Sequence, residues 1–168
     1  SSTYFDNSSF SMFHQSEEGT LPRKKVRLRS YTKDPHSNTN SKLETKISSI
    51  EGRFKTQKNI SNTIVICKRG LMDSEYGLLM PTVRVSYERS YYSVHGVRLT
   101  IDRNLVYQSL RSRYINTRSI RDDQVIVEIK APIGVSSDFL YGKFPFARAR
   151  FSKYSMAIKA SLNLSLSI

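Results

Sequence analysis

The chain has 168 residues, enough for one domain with a hydrophobic core but too few for two independent ones. It carries 27 Lys and Arg against 14 Asp and Glu, a net charge of +13 that indicates a polyanionic partner: nucleic acid, an anionic membrane or a phosphate chain. A single cysteine, Cys67, excludes an internal disulfide and favours a reducing compartment, and the longest apolar run, residues 64–67, is too short to span a bilayer.

Alternation of apolar and polar side chains with a period of two predicts most of the secondary structure. Residues 1–5 are typical of the end of a strand, and six further strands are predicted at 25–31, 42–47, 63–68, 82–89, 97–102 and 125–130. Short helices are predicted at 102–112, 137–144 and 153–164, and loops at 32–41, 70–81 and 131–137. The pattern indicates an antiparallel, strand-dominated α+β domain.

The charged residues of these strands share faces, because residues i and i+2 of a strand project to the same side. The pairs are Arg27 with Arg29, Glu44 with Lys46, Tyr87 with Arg89, Arg98 with Asp102, and Glu128 with Lys130. A sheet with one solvated face is the default interpretation. Arg and Glu dominate here, however, and strands that close around one space would create a cationic lumen of a size suited to one small ligand.

Arginine suits a phosphate ligand, since its planar guanidinium donates paired hydrogen bonds to phosphate oxygens and stays charged among other cations. A carboxylate that faces a phosphate needs a divalent cation between them. Glu128 and, less strongly, Glu44 are therefore candidate ligands for Mg²⁺ or Mn²⁺. The alternative for each is an ion pair with a neighbouring Arg or Lys, and for Glu44 the pattern does not separate the two.

Seven short motifs, spread in order over nearly the whole chain, resemble the VTC domain, the catalytic module of vacuolar transporter chaperone complexes and of bacterial relatives. They are Y-F-D (4–6), K-V-R-L-R-S-Y (25–31), L-E-T-K (43–46), Y-E-R-S-Y-Y (87–92), V-R-L-T-I-D (97–102), V-E-I-K (127–130) and F-S-K-Y (151–154). The resemblance implies the triphosphate tunnel fold, an antiparallel β barrel with a few short helices.

The resemblance also implies an activity: a polyphosphate polymerase that transfers the terminal phosphoryl group of ATP to a growing polyphosphate chain, with Mn²⁺ or Mg²⁺ bound. The expected partners are ATP and inorganic polyphosphate, and no nucleic acid. Matching motif positions make phosphate ligands of Arg27, Arg29, Lys46, Arg89 and Lys153. They add hydrogen bonds from Tyr87 and Ser152, support from Arg98 and Lys130, and a metal ligand in Glu128, with Glu44 second. Only the resemblance aims Lys153 at the site.

The chain departs from the family pattern at its start, because family members carry an additional strand with an E-x-K pattern before Y-F-D. We therefore expect a single tunnel domain over residues 1–168 that is truncated at its N-terminus. A cytoplasmic location is expected, and membrane association would require a membrane-protein partner or a fused membrane segment outside this chain.

Three other functions stay open. A triphosphate hydrolase would use the same lumen with water as acceptor, and a non-catalytic module would bind polyphosphate or inositol pyrophosphate without turnover. A nucleic-acid-binding β domain is favoured by charge alone, but few aromatic residues alternate with basic ones as a base-stacking platform requires. For any phosphate lumen, Arg27→Ala or Arg29→Ala is expected to weaken tripolyphosphate binding while leaving folding nearly intact.

Overall fold

The structure is a computed structural model that describes residues 1–31, 41–94, 96–111 and 119–165. These residues form four short helices and a predominantly antiparallel sheet, and 50% of them lie in strands, which confirms the predicted α+β class. The elements in chain order are β1 (Ser2–Asp6), α1 (Ser11–Glu18), β2 (Arg23–Ser30), β3 (Ser41–Ser48), β4 (Arg53–Ile60), α2 (Thr63–Arg69), β5 (Leu71–Asp73), β6 (Gly77–Val94), β7 (Val97–Ser109), β8 (Ser119–Asp122), β9 (Ile126–Lys130), α3 (Ser137–Lys143) and α4 (Lys153–Ser165).

The strands form one sheet whose main order is β4-β3-β2-β1-β6-β7-β8, with β5 paired to β6 and β9 paired to β7. Each of these pairings is antiparallel. The sheet is not closed: β4 forms one edge, and β8 and β9 lie at the other. The described strands thus give a tunnel-like arrangement with an open side, which fits the expected tunnel fold, in which the barrel could lack its first strand.

Two of the predicted strand and helix assignments are wrong. Residues 63–68 form helix α2 instead of a strand: the side chain of Asn62 accepts a hydrogen bond from the Val65 amide at its start, and Gly70 ends it with a φ of 79°. The β-branched apolar residues of α2 are typical of a strand, and its seven residues are too few to show a helical period. In the stretch 102–112, predicted as helical, the residues up to Ser109 continue β7 and pair with β6, and position 112 lies outside the described residues.

The remaining elements follow the prediction more closely. Helices α3 and α4 lie where they were predicted, whereas the loop predicted at 70–81 contains β5 and the start of β6. The sequence did not predict α1, β4 or β8. The run R-F-K-T-Q-K-N-I of β4 lacks apolar alternation because all but its last residue are exposed. The predicted loop at 32–41 lies outside the described residues except for its last position, which begins β3.

A buried carboxylate joins three elements of the core. Asp6, at the end of β1, accepts hydrogen bonds from the backbone amides of Met12 (3.1 Å) and Phe13 (3.0 Å) at the start of α1, and from the hydroxyl of Tyr154 in α4. Asp6 is fully buried and Tyr154 is 2% exposed. Because α4 also packs against β6 and β7, this arrangement fixes the start of α4, where Lys153 lies.

Candidate functional site

A cavity of about 930 Å³ lies on the face of the sheet that carries the charged side chains. Strands β2, β3, β4, β6 and β9 contribute to its walls, together with α3, the segment that follows α3 and the start of α4. Ten of the eleven residues predicted for the site line it: Arg27, Arg29, Glu44, Lys46, Tyr87, Arg89, Glu128, Lys130, Ser152 and Lys153. The cavity gathers side chains from separate strands, as the face-sharing pattern required.

The alternation of β2 explains how its arginines reach the cavity. Val26 and Leu28 are buried at 4% and 6% exposure on one face, whereas Arg27 and Arg29 line the cavity on the other. Lys25 has the same parity and also lines the cavity. The sequence analysis did not include Lys25 among the site residues, although its i−2 position relative to Arg27 was the available signal.

Glu44 is an ion-pair partner inside the cavity wall. One carboxylate oxygen contacts Arg27 through Nε and Nη2, each at 2.6 Å, while the other accepts from Lys55 Nζ at 2.9 Å and Gln57 Nε2 at 2.5 Å. Burial by itself would raise the pKa of Glu44, but these cations and the amide lower it to about 2. Donors alone surround the carboxylate, so its contacts match the ion-pair alternative and not a set of metal ligands.

Asp102 holds two of the predicted phosphate ligands in place. Its carboxylate accepts from Arg89 Nε and Nη2 at 2.6 and 2.7 Å and contacts Lys153 Nζ at 2.5 Å. Asp102 is 1% exposed, and although burial favours its neutral form, the hydrogen bonds from Arg89 and Lys153 hold the pKa of Asp102 below its usual value. The sequence placed Asp102 on a face with Arg98 but assigned it no role.

Two further predicted residues contact cations of the cavity. The ring of Tyr87 lies 5.3 Å from the guanidinium carbon of Arg89 and 4.8 Å from Nζ of Lys153, so its π face contributes a second attraction to both. The hydroxyl of Ser152 accepts hydrogen bonds from Lys25 Nζ (2.9 Å) and from the backbone amide of Ser155 in the first turn of α4.

Glu128 is the more exposed of the two glutamates that line the cavity. Its side chain is 43% exposed and contacts Lys130 Nζ at 3.0 Å and Arg89 Nη2 at 3.8 Å. Burial raises the pKa of Glu128, but Lys130, Arg89 and Lys153 together lower it. The described residues contain no group of three or more His, Cys, Asp or Glu suited to hold a metal ion. Mg²⁺ commonly uses one or two carboxylates plus substrate phosphates, and Glu128 fits that kind of site.

Arg98 is the predicted site residue that does not line the cavity. It is exposed at the start of β7, in the part of the β6–β7 hairpin where residues 91–94 are also exposed. Arg98 and Asp102 lie four residues apart in β7, so they have the same parity along the strand, as the alternation predicted. The cross-strand partner of Arg98, Lys130, lines the cavity, but Arg98 itself does not, which a periodic pattern does not reveal.

Comparison with known families identifies the chain. The VTC domain family matches residues 1–162 of its 168 residues. The chain belongs to the VTC-domain family. Membership of the VTC-domain family supports a polyphosphate-related function for this VTC domain. A comparison with curated proteins found no match. Within the described ranges, the VTC domain contains no helix with the length and apolar character needed to cross a membrane.

Proposed function

We propose that this VTC domain is a metal-dependent polyphosphate polymerase that transfers the terminal phosphoryl group of ATP to a polyphosphate chain held in the cavity. The observation that carries the proposal is the convergence of five cations on one space. Arg27 and Arg29 come from β2, Lys46 from β3, Arg89 from β6 and Lys153 from α4. Such a cluster repels itself and is stabilised by a ligand with several negative charges.

The cations would act through charge and position. Phosphoryl transfer develops charge on the equatorial oxygens of the transferred group, and cations fixed in advance stabilise that charge without reorganising. Asp102 and Tyr87 supply this fixation for Arg89 and Lys153. An acceptor phosphate is already ionised at neutral pH, so the reaction needs no side-chain base.

Glu128 is the residue that would hold Mg²⁺ or Mn²⁺, with phosphate oxygens as the other ligands. A bound divalent ion would supply additional neutralisation of phosphate charge. Lys130 and Arg89 lie beside Glu128 and would shift toward phosphate oxygens once the carboxylate has a metal partner. Glu44 is less suited to this role because its oxygens already accept from Arg27, Lys55 and Gln57.

Hydrolysis of triphosphate or polyphosphate is the second candidate, and solvent access favours it. Three side chains that line the cavity are substantially exposed to solvent: Lys55 at 47%, Glu128 at 43% and Lys130 at 53%. Water can therefore reach a bound phosphate. In a hydrolase, water would take the place of the acceptor chain while the same cations bind the donor.

Incubation with ATP and Mn²⁺ distinguishes the candidates. A polymerase forms chains that resist acid and separate by length on a gel, a hydrolase releases only free phosphate, and a non-catalytic module binds tripolyphosphate without turnover. We expect chains from the wild-type protein and none from Lys153→Met. The matched control is Lys58→Gln on β4, whose exposed side chain points away from the cavity face. Free phosphate alone, or binding alone, would refute the polymerase proposal.

A further inference from the structure

Strand β7 contains an extra residue where it passes from the hydrophobic core to the cavity. The pairing of β6 with β7 keeps one register over residues 83–86 of β6 and shifts before Glu88. Within the shift, Asn104 and Leu105 of β7 together oppose Tyr87 of β6, an arrangement that defines a β-bulge. Asn104 has a φ of 54°, in the left-handed region that asparagine adopts more readily than most residues with a β-carbon.

The bulge changes which residues of β7 lie on the face of the sheet that carries the cavity. In the core half of the strand (105–108), Leu105 and Tyr107 are buried in the hydrophobic core at 0% and 3% exposure. In the cavity half (98–102), Asp102 is 1% exposed and contacts Arg89 and Lys153. A regular strand would place Asp102 and Leu105 on opposite faces, because an odd number of positions separates them. The extra residue allows one face to carry both.

The shift in register also decides which charge faces Arg89. Along β6, Val85 at the core and Arg89 at the cavity have the same parity, so β6 needs no extra residue of its own. Continued without the shift, the register of residues 83–86 would place Arg103 opposite Arg89. Two like charges in directly opposed positions destabilise an antiparallel pair. With the bulge, the residue opposite Arg89 is Asp102 instead.

The strands on the other side of β7 change at the same position. β8 pairs with the core half and β9 pairs with the cavity half. Glu128 of β9 lies opposite Thr100, so the orientation of the cavity half also determines which residues of β9 face the cavity. The bulge thus affects the residue proposed to hold the metal ion as well as Asp102.

We propose that Asn104 is a positioning residue for phosphoryl transfer: its left-handed backbone maintains the bulge that turns Asp102 toward Arg89 and Lys153. The catalytic part of this inference rests on the proposed function. Asn104 does not line the cavity, and its side chain donates a hydrogen bond of 3.0 Å to Glu88 on the exposed surface. It therefore acts through its backbone conformation and through Asp102, without contact to a ligand.

The test replaces Asn104 in the full chain by valine and by glycine. Valine is β-branched and strongly disfavours the left-handed region, whereas glycine adopts it freely and removes only the contact with Glu88. Asn59→Val is the matched control, since it removes the same amide at an exposed position of β4 where φ is not positive. Asn104→Val should lower the unfolding temperature by roughly 4–8 °C. Asn104→Gly and the control should stay within about 3 °C of the wild type.

Combination with Asp102→Asn shows whether Asn104 acts through the carboxylate. If the bulge positions Asp102, Asn104→Val removes contacts that Asp102→Asn also removes, so the double variant should lose clearly less than both single losses together. Tripolyphosphate should raise the unfolding temperature of Asn104→Val by more than that of the wild type, because Arg89 and Lys153 then lack their carboxylate. Turnover of ATP with Mn²⁺ should fall roughly tenfold or more in Asn104→Val and recover in Asn104→Gly.

Additive losses with an unchanged response to tripolyphosphate would overturn the inference, because Asn104 would then contribute only to the local stability of the strand. A wild-type unfolding temperature in Asn104→Val would overturn it as well. Equal loss of turnover in the valine and glycine variants would assign the effect to the contact with Glu88 and would also contradict it.

Two provisions keep this test separate from other failures. If Asn104→Val does not fold, Asn104→Ala replaces it in the same comparisons, since alanine has the smallest side chain that disfavours the left-handed region. The unfolding measurements on the single and double variants need no ligand. A wild-type protein that does not respond to tripolyphosphate would therefore refute the proposed function, while the coupling between Asn104 and Asp102 would still support or reject the positioning by the bulge.

Discussion

The carboxylate of Asp102 binds the guanidinium of Arg89 through two parallel hydrogen bonds of 2.6 and 2.7 Å. The same carboxylate contacts Lys153, so a single buried negative charge holds two cations that belong to different elements, β6 and α4. Of these three residues, Arg89 and Lys153 line the cavity. Asp102 therefore acts as a positioning residue for the two cations and not as a ligand.

Removing the charge of Asp102 should destabilise the protein and make its stability depend on an anion. In Asp102→Asn, the charges of Arg89 and Lys153 lose their buried partner, and breaking such a pair costs about 3–5 kcal/mol. Tripolyphosphate should restore part of this loss, so it should raise the unfolding temperature more in the variant than in the wild type. The control Asp123→Asn removes an exposed carboxylate and should behave as wild type. An Asp102→Asn protein with unchanged unfolding temperature would contradict this role.

Arg29→Ala and Arg27→Ala should differ, which revises the expectation that both leave folding nearly intact. Arg29 stacks on the ring of Tyr31 and pairs with no carboxylate in the described part of the chain. Its loss should weaken tripolyphosphate binding roughly tenfold, as for a lost charge-assisted hydrogen bond, without lowering stability.

Arg27→Ala should weaken binding similarly and also destabilise folding by about 1–3 kcal/mol, since buried Glu44 loses its arginine and keeps only Lys55 and Gln57. Urea unfolding and titration calorimetry measure the two effects separately. Equal stability of the two variants would show that Glu44 does not depend on Arg27.

The Glu44 network should lose its stabilising effect in acid. The pKa of Glu44 is about 2 in the folded protein against an ordinary value of 4.5, so the unfolded chain binds the proton more tightly. Its contribution is thus fully present above pH 4.5 and is lost as the pH falls from there toward 2; it amounts to roughly 3 kcal/mol. The difference in unfolding free energy between wild type and Glu44→Gln should be largest near pH 6 and shrink below pH 4. A difference that stays constant down to pH 3 would argue against an ionised Glu44.

Glu128→Gln should affect the metal requirement more than phosphate binding. If Glu128 holds the divalent ion, the variant should need at least about tenfold more Mn²⁺ for half-maximal turnover, a loss typical of altered metal surroundings. Its affinity for tripolyphosphate without metal should stay equal or increase, because a negative charge beside Arg89 and Lys130 is gone. Glu88→Gln, which alters an exposed glutamate bound to Asn104, is the control. An unchanged Mn²⁺ dependence would exclude Glu128 as the metal ligand.

The sequence by itself determined which side chains share a face. Strand parity is local, so K-V-R-L-R-S-Y was sufficient to separate buried Val26 and Leu28 from Arg27 and Arg29 at the cavity. The order of the motifs was likewise sufficient to place the chain in the VTC-domain family. The periodic pattern failed in α2, which is short, in β4, which is polar on both faces, and in the second half of β7, which was predicted as helical.

The tertiary structure decided which charges meet. Cross-strand register pairs Glu44 with Arg27 and opposes Lys25 to Lys46, and no pattern within one strand contains that information. The packing of α4 on β6 and β7 brings Lys153 to Asp102 from 51 positions further along the chain (153 − 102), which depends on long-range contacts in the core. Ion pairs between distant segments exist only after the hydrophobic core has fixed the relative positions of those segments, and so they can be recognised only in the folded molecule.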